Sequence, residues 1–264
     1  MAKIPTDANL ISPMGDMGIA VAIGAIKGWA PERKFGMNPA VAAGVQEEIW
    51  PLGTIRSLPT AAATTTIVSD SSADTLTSGT GAWTVVVQGL DDDYNFITET
   101  VNMAGLTPVN LSQQFRRLFR AYVQYTGSSG YNVGNLTVTI GGVAQAYVEA
   151  AEGQTHIAAG TVPAGTSFLI NYYSVGVGRM AGNTDAQILG QIRLYDEAGT
   201  NNHQSWRTIS DVWVYNGQEH TNSVSTTVLP EKTDYRVLIS SSAATQAHAI
   251  IGGFFITTAT QGNF

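Results

Sequence analysis

The sequence contains no cysteine among its 264 residues. That absence removes disulfide bonds, thiolate nucleophiles and cysteine-ligated zinc, and it leaves the redox compartment open. Histidine is scarce as well, and its residues are scattered singly along the chain: His156, His203, His220 and His248. Their spacing matches no zinc site, so the histidines predict no metal centre.

Charged residues are few, and the positive ones are fewer still. Charged residues of both signs make up 12% of the chain, with 13 Lys and Arg against 20 Asp and Glu, which gives a net charge of −7. A protein that binds nucleic acid needs a basic surface to neutralise phosphates. This balance therefore predicts that nucleic acid is not a partner.

Long hydrophobic runs are also lacking. The main apolar run, residues 18–26 (GIAVAIGAI), is too short to span a bilayer. It is also a poor secretory signal, because Asp7 and Asp16 precede it and Lys27 follows it without a small-residue cleavage site. We therefore expect no membrane partner, and we expect this run to be an extended segment that is buried or packed at an interface.

Motifs for catalysis or ion binding are incomplete. No G-x-S-x-G elbow selects a serine for a Ser/His/Asp triad, and adjacent carboxylates such as Glu47 and Glu48 point to opposite faces of a strand. The turn at residues 91–95 (DDDYN) has the first three spacings of a calcium loop, but Phe96 replaces its glycine and Asn102 its final glutamate. We predict a non-enzymatic protein without a cofactor, and whether the acidic turn binds a cation stays open.

Turn-forming glycine is abundant, with 28 residues between runs that show the period-two pattern of strands. Residues 82–89 and 96–102 predict a long β-hairpin around a polar turn. From residue 161 onward, candidate strands recur at regular spacing: Ser167–Val175, Ile188–Tyr195, Trp206–Tyr215, Ser223–Leu229, Tyr235–Ser240 and Ala249–Thr257. Such spacing is typical of a sandwich or jelly roll, whereas the lack of a fixed-period repeat disfavours a propeller.

Residues 1–60 have a different character. Six of the nine prolines lie here, at positions 5, 13, 31, 39, 51 and 59, and each disfavours a long helix or a central strand. The segment nevertheless holds more apolar residues than a solvated linker needs. The sequence therefore predicts an all-β protein: an extended N-terminal arm (1–60), a first β module with the long hairpin (61–160), and a β-sandwich or jelly-roll body (161–264). Whether the arm packs on its own body or on neighbouring subunits stays open. Residues 115–126 could begin with a helical turn, and from Leu118 onward they suit a strand better.

Several short motifs resemble those of structural proteins from tailed bacteriophages. They are Asp74, Gly79-Thr80-Gly81-Ala82, Gly89-Leu90-Asp91, Glu99-Thr100-Val101 and Gly105 in the hairpin region, residues 34–39 (KFGMNP) and 48–53 (EIWPLG) in the arm, and residues 162–165 (VPAG) and 229–234 (LPEKTD) in the body. Within that group the chain looks most like a capsid decoration (cement) protein. The resemblance implies a homotrimer on the outer capsid surface of the virion, made in the host cytoplasm, with the major capsid protein as its partner.

An arm of this kind would contact other chains through its apolar residues, helped by the densest basic patch in the sequence. The predicted interface residues are Ile4, Leu10, Ile11, Ile19, Val21, Ile23, Trp29, Phe35, Ile49, Trp50, Arg116, Arg117 and Arg120. Two alternatives stay open. One is a tail or head-fibre component that binds a host glycan through exposed aromatic residues such as Trp206, Trp213 or Tyr215; the other is a polysaccharide-active enzyme, for which the sequence selects no carboxylate.

Overall fold

The computed structural model describes residues 17–178, 187–197, 205–215, 219–222 and 227–257; of Met17 and residues 219–222 only the backbone is described. These residues form one short helix and many strands. In chain order they are α1 (Met17–Ala22), β1 (Trp29–Val41), β2 (Gln46–Glu48), β3 (Thr65–Ser69), β4 (Ala82–Leu90), β5 (Phe96–Asn102), β6 (Val109–Asn110), β7 (Arg117–Thr126), β8 (Leu136–Ile140), β9 (Val143–Val148), β10 (Ala159–Thr161), β11 (Thr166–Gly178), β12 (Gln187–Asp196), β13 (Arg207–Tyr215), β14 (Glu219–Asn222), β15 (Thr227–Leu229), β16 (Thr233–Ser241) and β17 (Thr245–Thr257).

The strands form four sheets, and the all-β prediction is confirmed. Two sheets have five strands each: β1-β17-β11-β14 with β15 also on β11, and β10-β16-β12-β13 with β2 also on β16. The other two run β6-β3-β8-β9 and β5-β4-β7. Four is also the blade count of a small propeller, so the arrangement is propeller-like in this respect, although the sequence has no repeat.

The two five-stranded sheets share one hydrophobic core, and we call this unit the main body (β1, β2 and β10–β17). Successive side chains of a strand point to opposite faces, and in β12 every second residue from Ile188 to Asp196 is accordingly buried. Phe168 of β11 stacks on Tyr235 of β16 with ring centroids 5.1 Å apart. Aromatic contacts of this kind join the two sheets face to face.

The main body has eight strand positions in chain order, if β2 with β10 and β14 with β15 are each counted as one. The first position pairs with the eighth (β1 with β17) and the second with the seventh (β2 and β10 with β16). The third pairs with the sixth (β11 with β14 and β15), and the fourth with the fifth (β12 with β13). The first four positions and the last four thus form an antiparallel double ribbon, in which the two halves of the main body are paired along their length.

Strands β3–β9 lie between the two halves of the second position, and we call them the inserted module. They have a separate core, to which Ile67, Val85, Phe115 and Val138 contribute. The predicted hairpin is confirmed, with β4 pairing β5 from Thr84↔Asn102 to Leu90↔Phe96. In the ambiguous stretch 115–126, residues 117–126 form strand β7 and not a helix, because they pair along β4.

The prediction that the apolar run 18–26 is extended needs correction, because Met17–Ala22 form helix α1. The prediction of an extended arm also needs correction over residues 29–48. Strand β1 pairs with β17 over most of its length, and β2 pairs with β16, so both belong to the sheets of the main body. Of the predicted strand Ser223–Leu229, only Thr227–Leu229 is described, and it forms β15; residues 223–226 lie outside the described part, and β14 comes before the predicted strand. The other strands predicted after residue 161 are all present, most of them a few residues longer than expected.

Candidate interaction surface

A buried ion-pair network joins the main body to the inserted module. Arg117, at the start of β7, donates from Nε and Nη2 to the two carboxylate oxygens of Asp234 on β16, at 2.9 Å each. Its Nη2 also donates to Glu197 at 2.7 Å, and the hydroxyl of Thr161 donates to Asp234 at 2.5 Å. Burial acts to lower the pKa of Arg117, but the hydrogen bonds and charge of Asp234 outweigh it and raise that pKa. A buried pair with these contacts fixes how the module sits on the body, since either charge alone would be stranded in the interior.

A second buried pair lies where the chain leaves β2. The guanidinium of Arg56 donates to Glu48 from Nε at 2.9 Å and from Nη2 at 2.5 Å, and the Arg56 backbone N–H reaches the other carboxylate oxygen at 2.9 Å. Arg236 lies beside this pair, 3.6 Å from the ring centre of Trp206. Burial lowers the pKa of Arg236, with the charge of Glu48 acting in the opposite direction. The charges of Arg56 and Glu48 are therefore satisfied inside the chain, whereas the buried Nε of Arg236 has no hydrogen-bond partner among the described residues.

The three predicted interface arginines have different surroundings. The prediction that Arg117 contacts another chain is wrong, because its side chain is buried and paired within this one. Arg116 is partly buried, donates to Asp92 at 3.0 Å and to Glu197, and lies over the ring of Tyr94. Arg120 is exposed and donates to Gln154 at 2.7 Å.

The predicted apolar interface residues also divide. Ile49, Trp50 and Val21 are buried in the chain's own cores, so for them the prediction is corrected. Ile19 and Ile23 are 52% and 63% exposed, and their spacing of four places them on one side of α1 and its continuation. The remaining members are half-buried (Trp29 and Phe35) or lie outside the described residues (Ile4, Leu10 and Ile11).

A groove of about 650 Å³ runs between the main body and the inserted module. One wall consists of the consecutive residues 28–34, with Phe255 below them, and the other wall carries Phe96, Phe119 and Arg120. Phe96 stacks on Phe119 with ring centroids 6.4 Å apart, and Lys34 Nζ lies 4.9 Å from the centre of the Phe119 ring. Lys34 is also paired with Glu32 at 2.7 Å. Apolar walls with a few convergent polar groups at a module boundary are typical of binding sites.

A second exposed surface is the outer face of β12 and β13. Trp213 and Tyr215 point outward from β13 and are 57% and 52% exposed. Next to them Gln46 donates to Gln191 at 3.0 Å, and Gln191 donates to Asp211 at 3.0 Å. Trp206 is not part of this surface, because it lies under Arg236 at the junction.

The acidic turn holds its own backbone. Asp91 Oδ1 accepts the backbone N–H groups of Asp93 and Asn95 at 2.9 and 2.8 Å. Within the described ranges no three His, Asp or Glu side chains are grouped as metal ligands would be. Within the same ranges no helix has the length and apolar character needed to cross a membrane.

The sequence did not identify the groove as a site. Phe96 and Phe119 are read in the sequence as ordinary strand residues, and their stacking depends on how β5 and β7 flank β4. The signal available in the sequence is the position of Phe96, a large aromatic residue directly after a polar turn. In the structure it is the first residue of β5 and is 55% exposed.

No protein-family model and no curated protein sequence matches the chain. Among solved structures it is similar to the STIV MCP, at 10% identity and a TM-score of 0.20, with 88% of this chain and 99% of that chain covered. It is also similar to structures of infectious bursal disease virus. The Gx strain gives 11% identity, a TM-score of 0.24 and coverage of 92% and 76%, and the Gt strain gives 9%, 0.20 and coverage of 90% and 74%. These weak neighbours are viral capsid proteins, but TM-scores this low do not establish a shared fold.

Proposed function

We propose that this chain is a non-enzymatic structural protein of a tailed-phage virion, and that it is a decoration (cement) protein on the outer surface of the head. Its partner would be the major capsid protein, and it would assemble as a homotrimer. It would act mechanically, by covering contacts between shell subunits and burying apolar surface against them.

The observation that carries the proposal is the strand pairing of the main body. Pairing the first position with the eighth, the second with the seventh, the third with the sixth and the fourth with the fifth is what results when a double ribbon is wrapped into a barrel-like sandwich. This pairing supports a jelly-roll plan for the main body, a form used by viral capsid domains and lectins. The motifs shared with phage structural proteins favour the virion among these uses.

Because a fold does not specify a function, the proposal also needs a surface that binds. Ile19 and Ile23 supply apolar side chains that the chain itself leaves in solvent. Fully burying an exposed isoleucine side chain contributes about 1.5–3 kcal/mol, and these two are about half exposed, so together they would contribute about 1.5–3 kcal/mol to one contact.

The direct test is cosedimentation of the purified chain with isolated heads that lack it, followed by imaging of the particles. We expect saturable binding at regular positions on the shell. The double variant Ile19→Glu with Ile23→Glu should bind at least about a hundredfold more weakly. Val143→Glu serves as the matched control, since Val143 is 48% exposed on the inserted module. Isolated tails serve as a second target, and binding to tails instead of heads, or no binding to either, would refute the proposal.

A second candidate function is glycan binding by a virion fibre, favoured by the outer face of β13. Trp213 and Tyr215 are two residues apart and so lie on one face, about 7 Å apart along the strand. Asp211 is held by Gln191 through one oxygen, which leaves the other oxygen for a sugar hydroxyl. Saturable binding of one oligosaccharide on a glycan array, lost in Trp213→Ala and kept in Trp206→Phe, would favour this function over shell binding.

A further inference from the structure

The wall of the groove formed by residues 28–34 is the open edge of a sheet. Strand β1 pairs with β17 on one side, and no described strand pairs with its other side. The backbone N–H of Thr257 donates to the Gly28 carbonyl at 2.8 Å. In an antiparallel pair the residues that exchange hydrogen bonds alternate, and the register runs without a shift from Trp29 to Asn38. The N–H and C=O groups of Trp29 and Arg33 and the C=O of Pro31 therefore face away from β17, toward the open edge.

The shape of the groove matches an extended chain. Its first wall follows consecutive residues of one strand, which at about 3.3 Å per residue is roughly 23 Å long. The opposite wall offers the rings of Phe96 and Phe119 to side chains on one face of such a chain. Pro31 removes one donor from the edge, which limits how a flat strand of another sheet can pair there.

The charges of the groove favour an acidic occupant. Three cations, Arg33, Lys34 and Arg120, line it with a single carboxylate, Glu32, in a chain whose net charge is −7. Glu32 is paired with Lys34, whereas neither Arg33 nor Arg120 has a salt bridge to any carboxylate among the described residues. The neighbouring acidic turn offsets part of this charge, since Asp92 is paired with Arg116 but Asp91 and Asp93 keep their charges. The two arginines without a salt bridge lie on the walls of the groove itself, whereas the aspartates of the turn do not line it.

We infer that the groove binds an extended acidic segment of the shell protein, which adds as a strand to the open edge of β1. This inference rests on the proposed function for the identity of the partner. Backbone hydrogen bonds to Trp29 and Arg33 would provide affinity, as in other cases of strand addition. The Phe96–Phe119 pair would select apolar side chains, and Arg33 and Arg120 would select carboxylates.

Two substitutions at one residue test the strand addition. Arg33→Pro and Arg33→Ala remove the same charge, but only the proline removes the outward N–H, and neither touches a hydrogen bond to β17. We expect Arg33→Pro to bind isolated heads about threefold to tenfold more weakly than Arg33→Ala, as loss of one net hydrogen bond predicts. Arg120→Glu should weaken binding about tenfold and reduce its salt dependence, while Arg207→Glu on β13 serves as the charge control.

A second measurement separates this inference from the proposed function. A fluorescent peptide that repeats Glu-Thr-Leu should bind the purified chain, a peptide that repeats Lys-Thr-Leu should not, and Arg33→Pro should weaken the first. Equal head binding by Arg33→Pro and Arg33→Ala, with the wild type bound, would overturn the inference and leave the decoration role standing. If the wild-type chain binds the acidic peptide but does not bind isolated heads, the proposed decoration function is wrong, and the preference of the groove for an acidic segment is confirmed. If Arg33→Pro instead breaks up an oligomer, the occupant is the N-terminal segment of a second copy, and the inference is wrong.

Discussion

Replacing Asp234 by Ala should destabilise the protein at the junction between its two units. In the native structure Asp234 accepts hydrogen bonds from Nε and Nη2 of Arg117 at 2.9 Å each and from the hydroxyl of Thr161 at 2.5 Å. Both members of the ion pair are nearly fully buried. The alanine removes the acceptor and leaves the guanidinium in place. Arg117 then keeps Glu197 and the carbonyl of Pro59 as partners.

The size of the effect follows from what is left unpaired. Breaking a buried ion pair by removing one partner costs about 3–5 kcal/mol. Because Glu197 still compensates part of the charge of Arg117, we expect the low end, about 3 kcal/mol. The double variant Arg117→Met with Asp234→Leu removes both charges, and a well-packed apolar replacement of a buried pair is often nearly neutral. Its cost should therefore be smaller than the sum of the single costs by about 2 kcal/mol or more.

Equilibrium unfolding in urea, followed by tryptophan fluorescence, measures these free energies. Asp211→Ala is the matched control, since Asp211 is exposed on β13 and its loss should change stability by no more than about 0.5 kcal/mol. A cost below about 1 kcal/mol for Asp234→Ala would refute the reasoning, as would single costs that simply add in the double variant.

Three further outcomes are expected. Asp74→Asn should destabilise the inserted module by about 2–4 kcal/mol, because each carboxylate oxygen of Asp74 accepts two hydrogen bonds and an amide nitrogen accepts none; unchanged urea unfolding would contradict this. Burial raises the pKa of Glu149 above its ordinary 4.5, so the contribution of this side chain to stability is present below that value and is lost as pH rises through the raised pKa. The variant Glu149→Gln should therefore be stabilised relative to the wild type more at pH 8 than at pH 4. An equal difference in unfolding free energy at the two pH values would contradict this prediction. Replacing residues 51–157 by a short Gly-Ser linker, with Glu48→Gln and Asp234→Asn, should leave a β-rich main body by circular dichroism, and an unfolded product would show that the body needs the module.

The hairpin and most strands of the main body could be predicted from the local sequence, because apolar and polar residues alternate along a half-buried strand. Strand β1 was missed for a physical reason. Pro31 and Pro39 predict an extended arm, but proline is tolerated on an edge strand where its nitrogen faces away from the partner. At Pro31 the missing N–H would have pointed to the open edge, so the residue costs the β1–β17 pairing nothing.

The candidate site was harder to predict, because its residues come from distant parts of the chain. Arg117 lies 117 residues from Asp234, and nothing near it in sequence distinguishes a buried arginine from an exposed one. Arg116, Arg117 and Arg120 look like one basic patch in sequence, yet only Arg120 lies open at the groove. Similarly, Ile49 and Trp50 have the composition of an interface segment and are instead core residues, since the chain turns inward after β2.

The place of the insertion connects the fold to the proposed binding surface. The chain leaves the main body at Ile49 and returns at Ala158, whose N–H donates to the Ile49 carbonyl at 3.0 Å. Ile49 also donates to the Val237 carbonyl, and Val237 donates to the Ala158 carbonyl, so the edge of β16 stays hydrogen-bonded across the break. The two units are also joined at a second point, because the N–H of Ala164 after β10 donates to the Tyr94 carbonyl of the module at 3.0 Å. The buried pair of Arg117 and Asp234 adds a side-chain contact between the same two units. Because one wall of the groove belongs to each unit, these contacts together set the distance between β1 and Phe96 that any bound segment must match.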